Sequence, residues 1–289
     1  VDFGWSMTKG ESSMFEAPFE HVEHHVLPVR VQNAVEALRR DWWRLWRPRP
    51  EMRAKINGLH RYTVTAEVAK HRVLRWVARP TLPDKNLVVI ARSDDSTFGI
   101  LHSRFHEIWS LRLGTSLEDR PRYTPTTCFE TFPFPPGLTP AATASQQTEP
   151  LADGALIPAG LAPTVRVHAE AIARAAHALD TKRERWLNPP EWTQRVPEVV
   201  PLGMSTSPYP DRIEALPGYE KELAKRTLTN LYNQRPAWLA HAHEALDAAV
   251  AAAYGWDDYT PAMPDEEVLR RLLALNLARA ASPAPAPAA

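Results

Sequence analysis

The sequence predicts an α+β protein, a small mixed sheet with flanking helices followed by an all-α C-terminal region. Three observations carry that reading. Between Arg61 and Arg92 the hydrophobic pattern is that of short strands. On either side of that stretch it lengthens to the helical period, and beyond residue 164 the helical period dominates. At 289 residues the chain has room for two domains of ordinary size.

Residues 1–28 show no clear period and are expected to be irregular. In VQNAVEALRRDWWRLW, residues Val31, Val35, Leu38, Trp42 and Leu45 recur at three-to-four spacing, which predicts one amphipathic helix over 31–46. Pro48 and Pro50 stop it, and Pro50 opens a short helix through Asn57 that Gly58 ends. Segments 61–66, 71–79 and 86–92 are rich in Val, Tyr, Thr and Ile and read as strands. Asp94, Asp95, Ser96 and Thr97 offer N-cap chemistry for a helix running to about Leu113 and closed by Gly114. Ile100, Leu101, Phe105, Ile108, Trp109 and Leu113 form its buried face. Residues 29–138 thus make one α+β unit. Residues 139–163, dominated by Pro, Ala, Thr and Gly, read as a linker. Helices are predicted at 164–187, 219–234, 237–254 and 265–281, giving a C-terminal helical region over 164–281. SPAPAPAA, 282–289, reads as a frayed tail.

Composition excludes several function classes. Cys128 is the single cysteine, so no disulfide framework and no cysteine-based zinc site forms within the chain. The apolar runs are too short to span a bilayer and no signal-peptide pattern opens the sequence, so a cytoplasmic protein without membrane contact is expected. No two of the 11 glycines are separated by a single residue, which rules out a GxG dinucleotide or cofactor loop, and no Walker lysine is present. The opening Val1 in a polar stretch fits the C-terminal piece of a longer protein. Overall charge is balanced, 34 basic against 34 acidic residues, but its distribution is uneven. From Arg30 to Arg79, thirteen basic residues face only Glu36, Asp41, Glu51 and Glu67. Such a patch draws phosphates even on a neutral molecule.

The motifs sharpen this. His102 and His106 stand four apart on a predicted helix, but Ser103 replaces the glutamate of the zinc-protease pattern and no third ligand is evident; polar surface or nucleic-acid contact is the better reading. His21, His24 and His25 read as solvated, and Cys128 as structural. LNPPEW, 187–192, resembles the Asn-Pro-Pro-aromatic motif of amino-methyltransferases, which holds the target amino group of a flipped base. Here Glu191 takes the aromatic position and KRERWL before it reads as a helix end, so a proline helix stop is expected. In RRDWWRLWRPRPEMRAK the arginine forks match phosphate oxygens, while the tryptophans suit packing on the sheet. Segment 94–135 combines His102, Ser103, Arg104 and His106 on a helix with Arg120, Arg122, Tyr123 and Thr124 in the next loop. That is a basic, hydroxyl-rich surface suited to a nucleic-acid reader.

FGILHSRFHEIWSLRLGT and DRPRYTPTTCFETFPFP closely resemble the target-recognition region of MmeI-like, type IIL (type IIG-related) bacterial DNA adenine-N6 methyltransferases and related phage-defence methylases. RRDWWRLWRPRPEMRAKINGLHRYTVTAEVAKHRVLRWV resembles the start of that domain. RWLNPPEW, RTLTNLYNQRPAWL and the run from LDAAVAAAYGW to DEEVLRRLLALNLAR resemble the family's segments C-terminal to it, so the likeness covers roughly residues 30–280. The resemblance implies DNA target recognition in a restriction-modification or phage-defence system. Double-stranded DNA and an N-terminal methyltransferase core, in the same or a separate chain, are the implied partners. S-adenosylmethionine and base flipping are implied for that core, because this sequence has neither the cofactor loop nor a true NPPY- or NPPF-type motif.

On this reading no catalytic, cofactor or metal residue is assigned here. Phosphate contacts are expected from Arg39, Arg40, Arg44, Arg47, Arg53, Lys55, Arg61, Lys70 and Arg72. Groove contacts are expected from Arg92, Ser103, Arg104, His106, Arg122, Tyr123 and Thr124. The alternative is a helical protein-interaction module with a basic surface and no enzymatic role.

Overall fold

The computed structural model describes residues 1–47, 49–117 and 120–281; Pro48 and the predicted tail 282–289 lie outside the described residues. The chain opens with four short helices, α1 (Lys9–Ser13), α2 (Glu16–His25), α3 (Leu27–Arg30) and α4 (Glu36–Arg40). The expectation of an irregular segment at 1–28 is therefore corrected. Thr8 and Glu11 form a reciprocal capping box, and Phe15, Phe19 and Val22 bury one face of α2 against Phe3 and Trp42. The single helix expected over 31–46 is corrected too. Asn33 Oδ1 accepts from the Val35 N–H at 2.9 Å, a local turn that competes with helix. Asp41 leaves the helical region, and Arg30 caps the Trp42 and Arg44 carbonyls, so Trp42 turns into the aromatic cluster.

Helix α5 (Pro50–Ile56) leads into a three-stranded sheet of β1 (Arg61–Ala66), β2 (Leu74–Ala78) and β3 (Leu87–Ile90) in the order β2-β1-β3. Both pairings are antiparallel, Thr65 opposite Leu74 and Thr63 opposite Ile90, where the sequence predicts a mixed sheet. Two helices come next in place of the predicted one, α6 (Asp95–His102) and α7 (Arg104–Leu113). Asp94 caps α6 by accepting from the Thr97 N–H. The chain breaks at Ser103, whose extended backbone frees the Arg104 N–H to donate to Asp247 Oδ1 at 2.8 Å. A carboxylate 143 residues away thus caps α7, and no local pattern announces it.

Beyond α7 come the hairpin β4 (Thr115–Leu117) and β5 (Arg120–Arg122) and the short helix α8 (Pro125–Cys128). Gly114 does not adopt the left-handed conformation expected of a C-cap glycine. It gives room instead, because a Cβ there would sit 2.6 Å from the Ser110 carbonyl and 2.7 Å from that of Arg122. The predicted linker at 139–163 contains a further hairpin, β6 (Thr148–Pro150) and β7 (Leu156–Pro158). Ala155 and Ile157 are fully buried, and the Leu156 N–H donates to Asp95 Oδ2 at 2.7 Å.

Helix α9 (Pro163–Leu187) ends at the Asn188-Pro189-Pro190 stop, as expected. The region after it is not all-α, since β8 (Thr193–Val196) and β9 (Arg212–Ala215) pair as a hairpin. The predicted helix at 219–234 divides into α10 (Glu220–Leu223) and α11 (Leu228–Gln234), where Thr227 caps the second half. Helices α12 (Ala237–Tyr254) and α13 (Asp265–Ala281) complete the chain where the sequence places them. The main core crosses the expected domain boundaries. Phe98, Ile100, Leu101 and Phe105 pack with Ile157, with Ile172, Ala176 and Leu179 of α9, and with Leu239, Leu246 and Val250 of α12. At Gly99 the helices approach so closely that an added Cβ would lie 2.7 Å from Ile172 and 3.0 Å from both Ala176 and Leu246.

Candidate nucleic-acid interface

The connection from β1 to β2 is tied to the β4–β5 hairpin. Val68 bridges Arg122, the Ala69 N–H donates to the Pro121 carbonyl at 3.3 Å, and the Tyr123 N–H donates to the Glu67 carbonyl at 2.7 Å. Arg72, buried beneath, donates to the Ala66 and Pro121 carbonyls and lies 4.9 Å from the Tyr123 ring centroid. Burial lowers its pKa, and three backbone and hydroxyl acceptors hold the guanidinium in place. Tyr123, also buried, shares a 3.1 Å hydrogen bond between its hydroxyl and His106 Nε2. Two loops far apart in sequence therefore become one rigid edge, with Lys70, Arg120 and Arg122 exposed on it.

The expected groove residues divide sharply. Arg92, Ser103, His106 and Tyr123 are buried, and this conformation gives them no surface with which to reach a base edge. Arg92 grips Asp94 through two nitrogens at 2.9 and 3.1 Å, and Ser103 Oγ donates to the Ile100 carbonyl. Burial holds His106 down at about 4, a neutral ring whose Nδ1 faces the Leu101 carbonyl. Arg104 is committed to α13 and the loop before it, through the Pro261 and Met263 carbonyls and Asp265. These five belong to the scaffold. Arg122, half-exposed and paired with Glu67, remains at the surface together with partly exposed Thr124.

The phosphate set is also split. Lys55 lies on α5, which leads into β1, and Lys70 lies in the connection that leaves it, so they flank opposite ends of a six-residue strand. The basic stretch is therefore not one continuous patch. Arg44 donates to the Met7 carbonyl, Arg53 pairs with Asp2, Arg40 with Asp41, and Arg39 caps the Asn33 and Ala34 carbonyls. Arg61 pairs with Asp95 at 2.8 Å and stacks 3.8 Å over Trp76. Arg72 is buried, while Arg47, Lys55 and Lys70 are exposed.

Two further expectations concern chemistry. His102 and His106 sit on separate helices and make separate hydrogen bonds. Fully buried Arg183 lies 2.7 Å from His102 Nε2 and the Leu74 N–H 3.2 Å from Nδ1, so both ring nitrogens face donors. Burial with that guanidinium holds the pKa well below the ordinary value and the ring neutral. Among the described residues no group of His, Cys, Asp and Glu is arranged to hold a metal. At LNPPEW, the Asn188 amide donates to Glu184 Oε1 at 2.6 Å in the last turn of α9, and Pro189 is buried. That geometry is a helix terminus: Asn188 and Pro190 do line an open cleft with Glu184, Thr193 and Arg195, but the Asn188 amide is already engaged within it. Sequence reasoning overlooks His71 and Asn233, which meet beside Lys70, and Arg235, which ends α11 two residues after Asn233; the local signal is the helix-ending Arg235-Pro236 step.

With this geometry in view, residues 57–136 match the family model of the MmeI target recognition domain. The match takes in the three-stranded sheet, α6, α7, the β4–β5 hairpin and α8. The fold is similar to that of the type IIL restriction-modification enzyme MmeI, solved in complex with DNA, at a TM-score of 0.50 and 18% identity. The likeness covers 89% of this chain and 26% of that one, so the chain spans about a quarter of MmeI. No curated protein matches it. Among the described residues, no helix is long and apolar enough to cross a membrane.

Proposed function

We propose that this chain recognises a double-stranded DNA target as part of a site-specific DNA adenine-N6 methyltransferase of a restriction-modification or phage-defence system. The observation that carries the reading is the MmeI-type target recognition domain at 57–136, whose β1–β2 connection and β4–β5 hairpin form one braced, basic edge. Arginines on rigid edges suit base readout, where one bidentate contact to guanine discriminates by about 1–3 kcal/mol. Arg122 and Thr124 keep the groove role in this proposal, while Arg47, Lys55 and Lys70 keep the phosphate role.

The residues present do not fit S-adenosylmethionine. No glycine pair forms a cofactor loop, and the Asn-Pro-Pro step is a helix stop with its amide engaged. Methyl transfer is therefore assigned to a methyltransferase core that this sequence does not contain. Contact with that core is assigned to the helical half, where Leu273 and Leu277 stand exposed one turn apart on α13.

Titration of the folded chain with duplex DNA at two salt concentrations tests the proposal. Affinity should fall steeply with salt, because each phosphate contact releases counterions. A folded sample without salt-sensitive binding refutes it, and a tight protein complex in its place would favour the interaction module.

A further inference from the structure

The junction between α11 and α12 stands beside the recognition domain, anchored by fully buried Leu231 and Leu239. Its exposed tip carries Asn233 and Arg235. Lys70 Nζ lies 2.8 Å from Asn233 Oδ1, and His71 Nε2 lies 2.9 Å from the same oxygen. A lysine ammonium only donates, so the amide must turn its oxygen toward Lys70, and His71 must donate as well. The orientation of Asn233 is thereby fixed, with its NH2 group turned away from both partners. The ammonium retains further N–H groups, and the histidine has used Nε2.

Arg235 adds a second anomaly. It ends α11 in the left-handed conformation, φ 41°, which glycine adopts without strain and a residue carrying a Cβ does not. Its guanidinium makes no hydrogen bond or ion pair among the described residues. Its charge acts on Glu107 and on buried Asp247, the carboxylate that caps α7. The left-handed cap returns its backbone N–H to the Leu231 carbonyl at 2.8 Å, and it leaves the exposed guanidinium as the part that points to a ligand. Lys70, Asn233 and Arg235 present N–H donors outward, while the acceptors near them are His71 Nδ1 and the Glu107 carboxylate, on which both His71 and Arg235 act. An adenine edge needs both an acceptor and a donor from asparagine, and this one has only donors to give. An oxygen anion is the matching ligand.

We propose that Lys70, His71, Asn233 and Arg235 form a seat for a phosphodiester of the DNA backbone, fixing the register of the recognition edge without reading sequence. This rests on the DNA-recognition reading above. It assigns a DNA contact to the helical half and makes the α11–α12 junction part of the interface.

Two variants of the full chain separate this role from a structural one. Arg235→Gly removes the guanidinium and relieves the backbone strain. Asn233→Asp keeps the oxygen that Lys70 and His71 hold but replaces the outward donors with a carboxylate oxygen. Fluorescence anisotropy with a labelled random-sequence duplex across a salt series reads affinity, and thermal melting reads the fold. We expect Arg235→Gly to melt at or above the parent temperature and to bind about three- to tenfold more weakly. Its slope of log affinity against log salt should drop by about one, as for one lost phosphate contact. Asn233→Asp should weaken binding similarly without lowering the melting temperature. Unchanged affinity and slope in both variants, with the parent still binding, overturns the seat alone. Losses that merely track lower melting temperatures overturn it as well. A parent chain that shows no salt-sensitive binding overturns the DNA-recognition reading, and the seat falls with it.

Discussion

Replacing Arg183 with methionine tests how the helical half is joined to the recognition domain. The guanidinium is fully buried on α9 and donates to three short partners: His102 Nε2 at 2.7 Å, the Leu74 carbonyl at 2.9 Å and Asp180 Oδ1 at 2.7 Å. Methionine keeps most of the aliphatic volume and removes the donors. Hydrogen bonds to a charged group contribute about 1.5–3 kcal/mol each, and breaking a buried charged cluster on one side costs about 3–5 kcal/mol. Three features reduce the loss. Asp180 is a quarter exposed and has Arg75 within 3.8 Å, His102 retains the Tyr232 hydroxyl at 3.1 Å, and Arg183 Nε has no partner, so part of its desolvation is uncompensated. A net loss of about 2–4 kcal/mol results, a large share of the roughly 5–15 kcal/mol of a typical domain. Urea unfolding with a shared slope measures it. Pairing the change with His102→Leu should cost less than the sum of the two, because each single variant strands the other's partner. A loss below about 1 kcal/mol, or strict additivity, would refute the reasoning.

Acid should weaken the fold in a definite window. In the unfolded chain His102, His106 and His243 each bind a proton near their ordinary pKa; in the fold, burial above all holds His106 at about 4, His243 at about 3 and His102 well below normal. The unfolded state then binds more protons below about pH 6.5, so stability should fall from there towards pH 4, by up to about 1.4 kcal/mol per pH unit for each ring. Asp247, which burial pushes up to about 7, and Asp95 and Glu107, which burial also raises, take protons in the fold and offset part of this loss. Replacing Asp247 with Asn should therefore steepen the fall; an unchanged pH profile in that variant would contradict the assignment. Gly99→Ala should destabilise by about 1 kcal/mol, since overpacking against the stiff Ile172 and Ala176 costs about 1–3 kcal/mol and the gain in helix propensity returns at most about 1; a raised melting temperature would show that the helices can part. Arg104→Gln should lower stability by about 1–2 kcal/mol through the lost α13 contacts and leave sequence preference on DNA unchanged; a shifted preference in a selection from random duplexes would return Arg104 to the groove.

Much of the fold is legible where local chemistry and burial agree. Strand β1 and helices α12 and α13 fall where period and composition place them. The misplaced elements share a different cause, which is that distant groups decide them. Asp247 breaks the 94–113 helix by capping its second half, and Trp42 leaves its helical stripe for an aromatic cluster that residues 1–28 complete. The Thr8–Glu11 capping box is readable there, but the helix it opens is only five residues long, too short to show a period. At the interface, residue type alone cannot separate an arginine that faces solvent from one that braces it. Arg72 and Arg122 come from the same basic, hydroxyl-rich sequence context, and only the pairing of the two loops buries one and exposes the other. Asn233 carries no charge and lies 163 residues from Lys70, so no pattern along the chain joins them.

The continuous core has a practical consequence for anyone who would move specificity between enzymes. The recognition domain at 57–136 has sequence borders but no structural seam, because Phe98, Ile100 and Leu101 are covered by α9 and α12 from outside it. A transplant cut at those borders would arrive with its largest apolar face bare and with α7 uncapped, since Asp247 stays behind. The transferable unit is the segment together with the helices that seat it. Where only the reading surface is to change, exchange should be confined to the β1–β2 connection and the β4–β5 hairpin, whose exposed side chains can vary while Arg72, Tyr123 and Gly114 hold the loops in place.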